Sequence, residues 1–289
     1  MSEQATYAHV YYESADGLRL YARDYAHGET SRIPVLCLPG LTRNSKDFET
    51  LALDRRVIAA DFRGRGLSQY ASDPTTYRPD VELADTIALL THLNIERVAV
   101  IGTSRGGIVA MLMATFHREK LGGILLNDVG TVLDTKGLLR IRSYLGINGN
   151  FTSWEQAVQG LKVSNPGFET LREDEWMSFA TRIFKIENGL PKINYDPALL
   201  NNFASVEDIE AGKIPQLWEL FAATAGIPTA ILRAENSDLL SAETVKEMQR
   251  RSPELDATTV KNRGHAPFLN EPESNQAIQR WLARIDAQT

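Results

Sequence analysis

Ser104 lies within Gly102-Thr103-Ser104-Arg105-Gly106, directly between the apolar run Arg97-Val98-Ala99-Val100-Ile101 and the helix-like run Gly107-Ile108-Val109-Ala110-Met111-Leu112-Met113. A serine presented on a sharp strand-to-helix turn can serve as a nucleophile. Its flanking glycines have a physical reason: such a turn needs unusual backbone angles and leaves no room for a Cβ where strand and helix pass closely. A free hydroxyl is a weak nucleophile at neutral pH and needs an adjacent base. The chain has five histidines. His9 and His27 fall in the N-terminal region, and His92 and His117 on predicted helices. Only His265 follows a late strand, in Arg263-Gly264-His265-Ala266-Pro267, ahead of a C-terminal helix. That spacing puts it in a loop at the carboxyl ends of the strands, where open parallel sheets carry their sites, and makes it the candidate base.

The elements that must position these groups are short. Val10-Tyr11-Tyr12 and Leu18-Arg19-Leu20-Tyr21-Ala22 flank Asp16-Gly17, a hairpin signal. Fully apolar strands are expected at Pro34 to Leu38, Arg56 to Ala60, Arg97 to Ile101, Gly123 to Asn127 and Pro228 to Arg233, with another at Asp256 to Val260. Helical periodicity fills the intervals, including Pro79 to Leu93 and a short piece near Asp47 to Leu53. The alternation implies a mostly parallel sheet covered by helices on both faces. From about Thr131 to Ile214 no strand is evident, and aromatics such as Trp154, Trp176, Phe168 and Phe179 are frequent. This stretch reads as a helical insertion over one end of the sheet, most aromatics filling its own core and a few facing a pocket. The expected division is therefore a core of residues 1–130 and 215–289 with an inserted cap of residues 131–214.

Composition narrows the classes. The 289 residues are 43% hydrophobic and 24% charged, with a net charge of −6, which argues against a nucleic-acid surface. No apolar run approaches the about 20 residues of a membrane span, and no basic segment followed by an apolar stretch opens the chain, so a cytoplasmic location is expected. Cys37 is the single cysteine and sits inside an apolar run, so it reads as a buried small hydrophobe. There is no Gly-x-Gly-x-x-Gly, no phosphate loop and no His-Glu-x-x-His, so neither a nucleotide cofactor nor a metal is expected. A small-molecule substrate is the expected partner, and oligomeric state is not readable.

Four landmarks then occur in order: Leu38-Pro39-Gly40-Leu41, Asp61-Phe62-Arg63-Gly64-Arg65-Gly66-Leu67-Ser68, the Ser104 pentapeptide, and Gly264-His265. With their strand contexts, these resemble the α/β-hydrolase superfamily, of the kind with a helical lid. The resemblance covers nearly the whole chain and is weakest across the insertion. It implies an α/β-hydrolase fold with a mostly parallel eight-stranded sheet, and a Ser-Asp-His order of catalytic residues. By that resemblance the acid follows the strand at Thr229 to Leu232, which points to Asp238, with Glu235 close by. Asp128, after the preceding strand, is the alternative acid. The resemblance also assigns the oxyanion donors to the backbone N–H groups of Leu41 and Arg105, and gives the Asp61 to Ser68 loop a mainly architectural part. Pro39-Gly40 stands where many relatives have His-Gly, and the run of glycines typical of many lipases is missing. Relatives that cleave carbon–halogen bonds or epoxides carry an aspartate at the nucleophile position, and Ser104 argues against both.

The expected activity is hydrolysis of a small carboxylic ester or lactone through an acyl-enzyme. Cleavage of a carbon–carbon or amide bond on the same scaffold is an alternative, as is a receptor-like member with little turnover. Arg43, just after the oxyanion loop, is a candidate partner for a substrate carboxylate, competing with a plain surface role. A lid arginine (Arg140, Arg142 or Arg182) turned into the pocket would likewise favour an acidic substrate.

Overall fold

The computed structural model describes residues 6–25, 31–51, 53–145 and 149–288; His27 and the first residues of the chain lie outside these. The chain opens with the hairpin β1 (Ala8–Glu13) and β2 (Arg19–Tyr25), followed by β3 (Val35–Leu38), β4 (Val57–Asp61) and α1 (Pro79–His92). β5 (Val98–Thr103) runs into α2 (Arg105–Phe116), then β6 (Leu121–Asn127). Next come α3 (Thr135–Leu145), α4 (Trp154–Ser164), α5 (Glu173–Ile183), a hairpin of β7 (Phe184–Glu187) and β8 (Leu190–Ile193), and the short α6 (Val206–Glu210) and α7 (Trp218–Ala222). The chain then completes β9 (Thr229–Ala234), α8 (Ala242–Arg251), β10 (Asp256–Val260) and α9 (Pro272–Asp286).

Eight strands form one sheet in the order β1-β2-β4-β3-β5-β6-β9-β10. β1 and β2 pair antiparallel, as do β2 and β4, while the pairs from β4 through β10 are parallel. Alternation along β3 sorts its side chains. Leu36 and Leu38 face the cluster built with α1, α2 and α8, and Val35 and Cys37 face the cluster built with α9. Both faces are thus covered, which is why the central strands are apolar throughout. Trp281 of α9 is fully buried and donates its indole N–H to the Pro228 carbonyl at 2.9 Å, so a large apolar body is buried without an orphaned donor. Cys37 is fully buried, and burial pushes its thiol pKa far up.

The segment between β6 and β9 is mostly helical, but it also carries the β7–β8 hairpin. Its turn is Asn188-Gly189, with φ of 53° and 78°, the left-handed pair that a two-residue hairpin turn demands. That dipeptide is a sequence signal for a hairpin, and the strands around it are only four residues each. Among the aromatics of this segment, Phe168 and Trp176 pack with Val158 in a core of their own, Tyr144 lines a cavity, and Phe151, Phe179 and Phe184 belong to both. Among the described residues no helix is long and apolar enough to cross a membrane.

Candidate active site

Ser104 stands between the end of β5 and the start of α2 with φ 49° and ψ −111°, a strained setting for a non-glycine residue. The turn is so tight that a Cβ on Gly102 would lie 2.5 Å from the Gly106 carbonyl oxygen, and one on Gly106 would lie 2.2 Å from the Leu38 carbonyl oxygen. The Ser104 N–H donates to the Asn127 carbonyl at 3.0 Å. The pairing of β5 with β6 therefore continues to the serine itself and holds it at the sheet's carboxyl end.

His265 Nε2 lies 3.0 Å from Ser104 Oγ, and His265 Nδ1 lies 2.8 Å from Asp128 Oδ2. Asp128 directly follows β6. It is fully buried and takes a positive φ of 55°. Its Oδ1 accepts from the Ala234 N–H at 2.8 Å, and its Oδ2 also accepts from the Ser237 hydroxyl at 2.7 Å. Three protein donors thus hold the carboxylate in place, with Nδ1–H as one of them when the imidazole donates to it. Asn127, fully buried at the end of β6, donates to Thr103 Oγ1 and to the Pro267 carbonyl, each at 3.0 Å. This bond ties the histidine loop to the strand ends. Neither Asn127 nor Ser237 is marked by any motif; their parts follow from contacts between segments distant in sequence.

Asp238 is not at the imidazole, which corrects the expectation drawn from the family resemblance, and the alternative Asp128 is there instead. Its carboxylate forms a two-point pair with Arg140 of α3, with Nε to Oδ2 at 2.6 Å and Nη2 to Oδ1 at 2.7 Å. The Asp238 carbonyl accepts from the Gly137 N–H at 2.9 Å. Burial pushes the Asp238 pKa up, but the Arg140 hydrogen bonds and charge outweigh it, and the carboxyl sits below its usual range. Asp238 therefore fastens the loop after β9 to the first inserted helix. Asp128 wins the position at His265 because β6 lies directly between β5, which carries Ser104, and β9. Glu235 is exposed and accepts from the Asn262 N–H at 2.9 Å, away from His265.

The two loops expected to supply oxyanion donors meet at the serine. Among the described residues, neither the Leu41 N–H nor the Arg105 N–H makes a hydrogen bond. Both loops are braced from behind. The fully buried Arg65 donates Nε to the Leu41 carbonyl at 2.8 Å. Its Nη1 lies 2.9 Å from Glu82 of α1, whose other oxygen accepts from Arg105 Nε at 2.6 Å. One buried carboxylate thus sits between two guanidiniums, each attached to a loop carrying a candidate donor. The rest of the Asp61 to Ser68 loop is architectural: Asp61 accepts from the Ser45 and Leu67 N–H groups, and Arg63 pairs with Asp85 and Asp16.

Ser104 and His265 open on a cavity of about 210 Å³ lined mainly by apolar side chains, among them Leu41, Phe151, Leu161, Phe179, Phe184 and Phe268. Arg43 lines it too, but its guanidinium is already paired with Asp47 and lies 4.6 Å over the Phe179 ring. Of the inserted-segment arginines, Arg182 lines the cavity. Arg140 is bound to Asp238, and Arg142 donates to the Ala204 carbonyl at 2.8 Å. No cluster of three potential metal-ligating residues occurs among the described residues.

A family model described as the alpha/beta hydrolase family matches residues 35–275. The chain belongs to the alpha/beta hydrolase family. Among curated relatives, a 3-hydroxybutyrate-oligomer hydrolase of Cupriavidus necator is 34% identical over 248 residues, 82% of this chain and 84% of that one. Among solved structures, an alpha/beta hydrolase from Novosphingobium aromaticivorans superposes with a TM-score of 0.89 at 43% identity, covering 97% of this chain and 99% of that chain. The protein is accordingly a hydrolase with the alpha/beta hydrolase fold.

Proposed function

We propose that the protein hydrolyses small carboxylic esters through an acyl-enzyme formed on Ser104. The observation that carries this reading is the continuous chain Ser104 Oγ–His265–Asp128, at 3.0 and 2.8 Å, opening on an apolar cavity. His265 Nε2 takes the serine proton as Oγ attacks the carbonyl carbon. Asp128, on the far side of the ring, fixes the tautomer with the proton on Nδ1 and stabilises the imidazolium that forms. Negative charge building on the carbonyl oxygen is met by the Leu41 and Arg105 N–H groups; one such donor is commonly worth about 100- to 1,000-fold in rate. The alcohol leaves with the proton from Nε2. Water then attacks the acyl-enzyme and gives its proton to Nε2, and the acid is released with the Ser104 hydroxyl restored.

Residues 131–214 act as the cap, closing the cavity with Tyr144, Phe151 and Phe184 above the serine. An apolar enclosure limits water at the carbonyl and strengthens the interactions of the charged groups. The name of the curated relative guides the choice within the ester class: short esters of hydroxyalkanoic acids are the natural substrates proposed. Assay of Ser104→Ala against 4-nitrophenyl butyrate and a fluorophosphonate probe tests the reading. Turnover should fall by more than about 10⁴-fold and labelling should disappear. A folded S104A protein with turnover within about tenfold of the parent would sink it, at a level far above what substrate binding alone supports.

A further inference from the structure

Arg182 lies in the last turn of α5 and lines the cavity without an ion-pair partner among the described residues. The residue is 5% exposed, and its guanidinium makes no hydrogen bond or ion pair among the described residues. Its Nε is a buried donor with no acceptor. The Phe268 ring lies 5.1 Å from the guanidinium carbon, a contact that favours the cation but offers no acceptor for an in-plane N–H bond. The backbone holds the residue in place, since the Arg182 carbonyl accepts from Asn44 Nδ2 at 3.0 Å.

The acidic groups around Arg182 are already engaged. Asp47 is paired with Arg43. Glu271 binds Arg263 at 2.8 Å and also accepts from the Phe268 N–H and the Ser274 hydroxyl. Glu49 lies 3.6 Å from Arg23. This end of the cavity therefore holds two guanidiniums, Arg43 and Arg182, and one carboxylate, Asp47. A cation taken out of water without a partner carries a large desolvation penalty. A fold would shed such a residue unless something returns that cost.

We infer that Arg182 binds a free carboxylate on the substrate, so that the enzyme's substrates are esters carrying an acid group elsewhere in the molecule. The inference rests on the ester-hydrolase reading above and adds the substrate's charge. A planar guanidinium presents paired N–H donors that match a carboxylate at two points. The cavity's single excess positive charge suits a monoanion rather than a phosphomonoester, which carries nearly two negative charges near neutral pH. Burial pushes the Arg182 pKa down, in the direction expected for a desolvated cation, and an incoming anion reverses that penalty.

Two matched substrate pairs test this. 4-Nitrophenyl hydrogen succinate with its methyl ester places the charge on the acyl side. 3-Acetoxybutyrate with its primary amide places it on the alcohol side. In at least one pair, the parent enzyme should prefer the acid over its neutral partner by about tenfold or more in kcat/KM. Arg182→Gln should lower that acid-to-neutral ratio by about 100-fold, as expected when one partner of a buried charge pair is removed. Arg182→Lys, which keeps the charge but loses the planar fork, should lower it by about tenfold, and it carries the test if R182Q does not fold. A parent enzyme with no acid preference in either pair, or a ratio unchanged in both variants, overturns the inference and leaves the ester-hydrolase reading standing. That reading fails separately, if S104A still turns over the neutral esters.

Discussion

Asparagine at position 128 and asparagine at position 238 should damage the enzyme in opposite ways. In Asp128→Asn, one carboxylate oxygen becomes an N–H₂ group facing donors. Oδ1 meets the Ala234 N–H, and Oδ2 meets both the Ser237 hydroxyl and His265 Nδ1. The amide can keep its carbonyl on Ala234 only by turning N–H₂ toward His265. The imidazole then favours the tautomer with Nδ1 bare and Nε2 protonated, which cannot accept from Ser104. In a serine hydrolase of known mechanism the same substitution costs about 10⁴-fold in kcat, and a fall of about 10³- to 10⁴-fold is expected here. Stability should drop by about 1–3 kcal/mol, the cost of a misplaced buried polar group. In Asp238→Asn the broken contact is the two-point pair with Arg140, whose side chains are 9% and 14% exposed. Breaking such a buried pair costs about 3–5 kcal/mol. For a chain of this size each kcal/mol is worth about 2–4 °C in Tm, so a fall of at least several degrees is expected, with kcat held within about threefold of the parent below the transition. The assay is kcat on 4-nitrophenyl butyrate beside a thermal melt of each variant. A D238N protein that loses more kcat than D128N, while still folded at the assay temperature, would refute the assignment of Asp128 to the imidazole.

Two further predictions concern charge networks. Glu82→Gln leaves Arg65 and Arg105 facing each other across a neutral amide, so the Leu41 and Arg105 loops should lose register at the serine. A fall in kcat of about 10- to 100-fold with little change in KM is expected, since small misplacements of donors are costly. An unchanged kcat in the folded variant would show that the network serves stability alone. Asp16 pairs with Arg63, and that hydrogen bond, followed by one from Ser14, lowers its pKa to about 2. A group with a depressed folded pKa contributes stability above its unfolded value of 3.8 and loses that contribution as pH falls toward about 2. Because the Asp16 side chain is 47% exposed, solvent screening holds the effect below about 1 kcal/mol. Urea midpoints of Asp16→Asn and the parent should therefore differ near neutral pH and converge in acid; divergence on acidification would contradict the sign.

The candidate nucleophile and the candidate base could be read from the chain because their signals are local. Glycines at 102 and 106 are demanded by atoms within one strand-to-helix turn and by the neighbouring strand β3, and His265 is set by its place after the last strand. The core strands were legible for the same reason, since burial on both faces imposes continuous apolar runs. The β7–β8 hairpin was signalled by Asn188-Gly189, but its four-residue strands lie among aromatic residues whose spacing also suits helices.

Other assignments depended on the sheet. Ser-Asp-His chain order is satisfied equally by Asp128 and Asp238, so the order of residues alone does not choose between them. The choice follows from strand neighbours: β6 pairs with β5 on one side and β9 on the other, which brings Asp128 to His265 across 137 positions and leaves Asp238 to Arg140. Charge balance in the cavity is likewise a sum over separate segments. Arg43 and Arg182 carry the same charge in the sequence, and Asp47 neutralises the first and leaves the second without an ion-pair partner among the described residues. By itself, the sequence marked the exposed serine, its candidate base and the layered sheet, because backbone sterics and apolar periodicity act over a few residues. The carboxylate placed at His265 and the arginine left without an ion pair were decided by tertiary structure, because hydrogen bonds and buried charges are settled only when distant segments share one space.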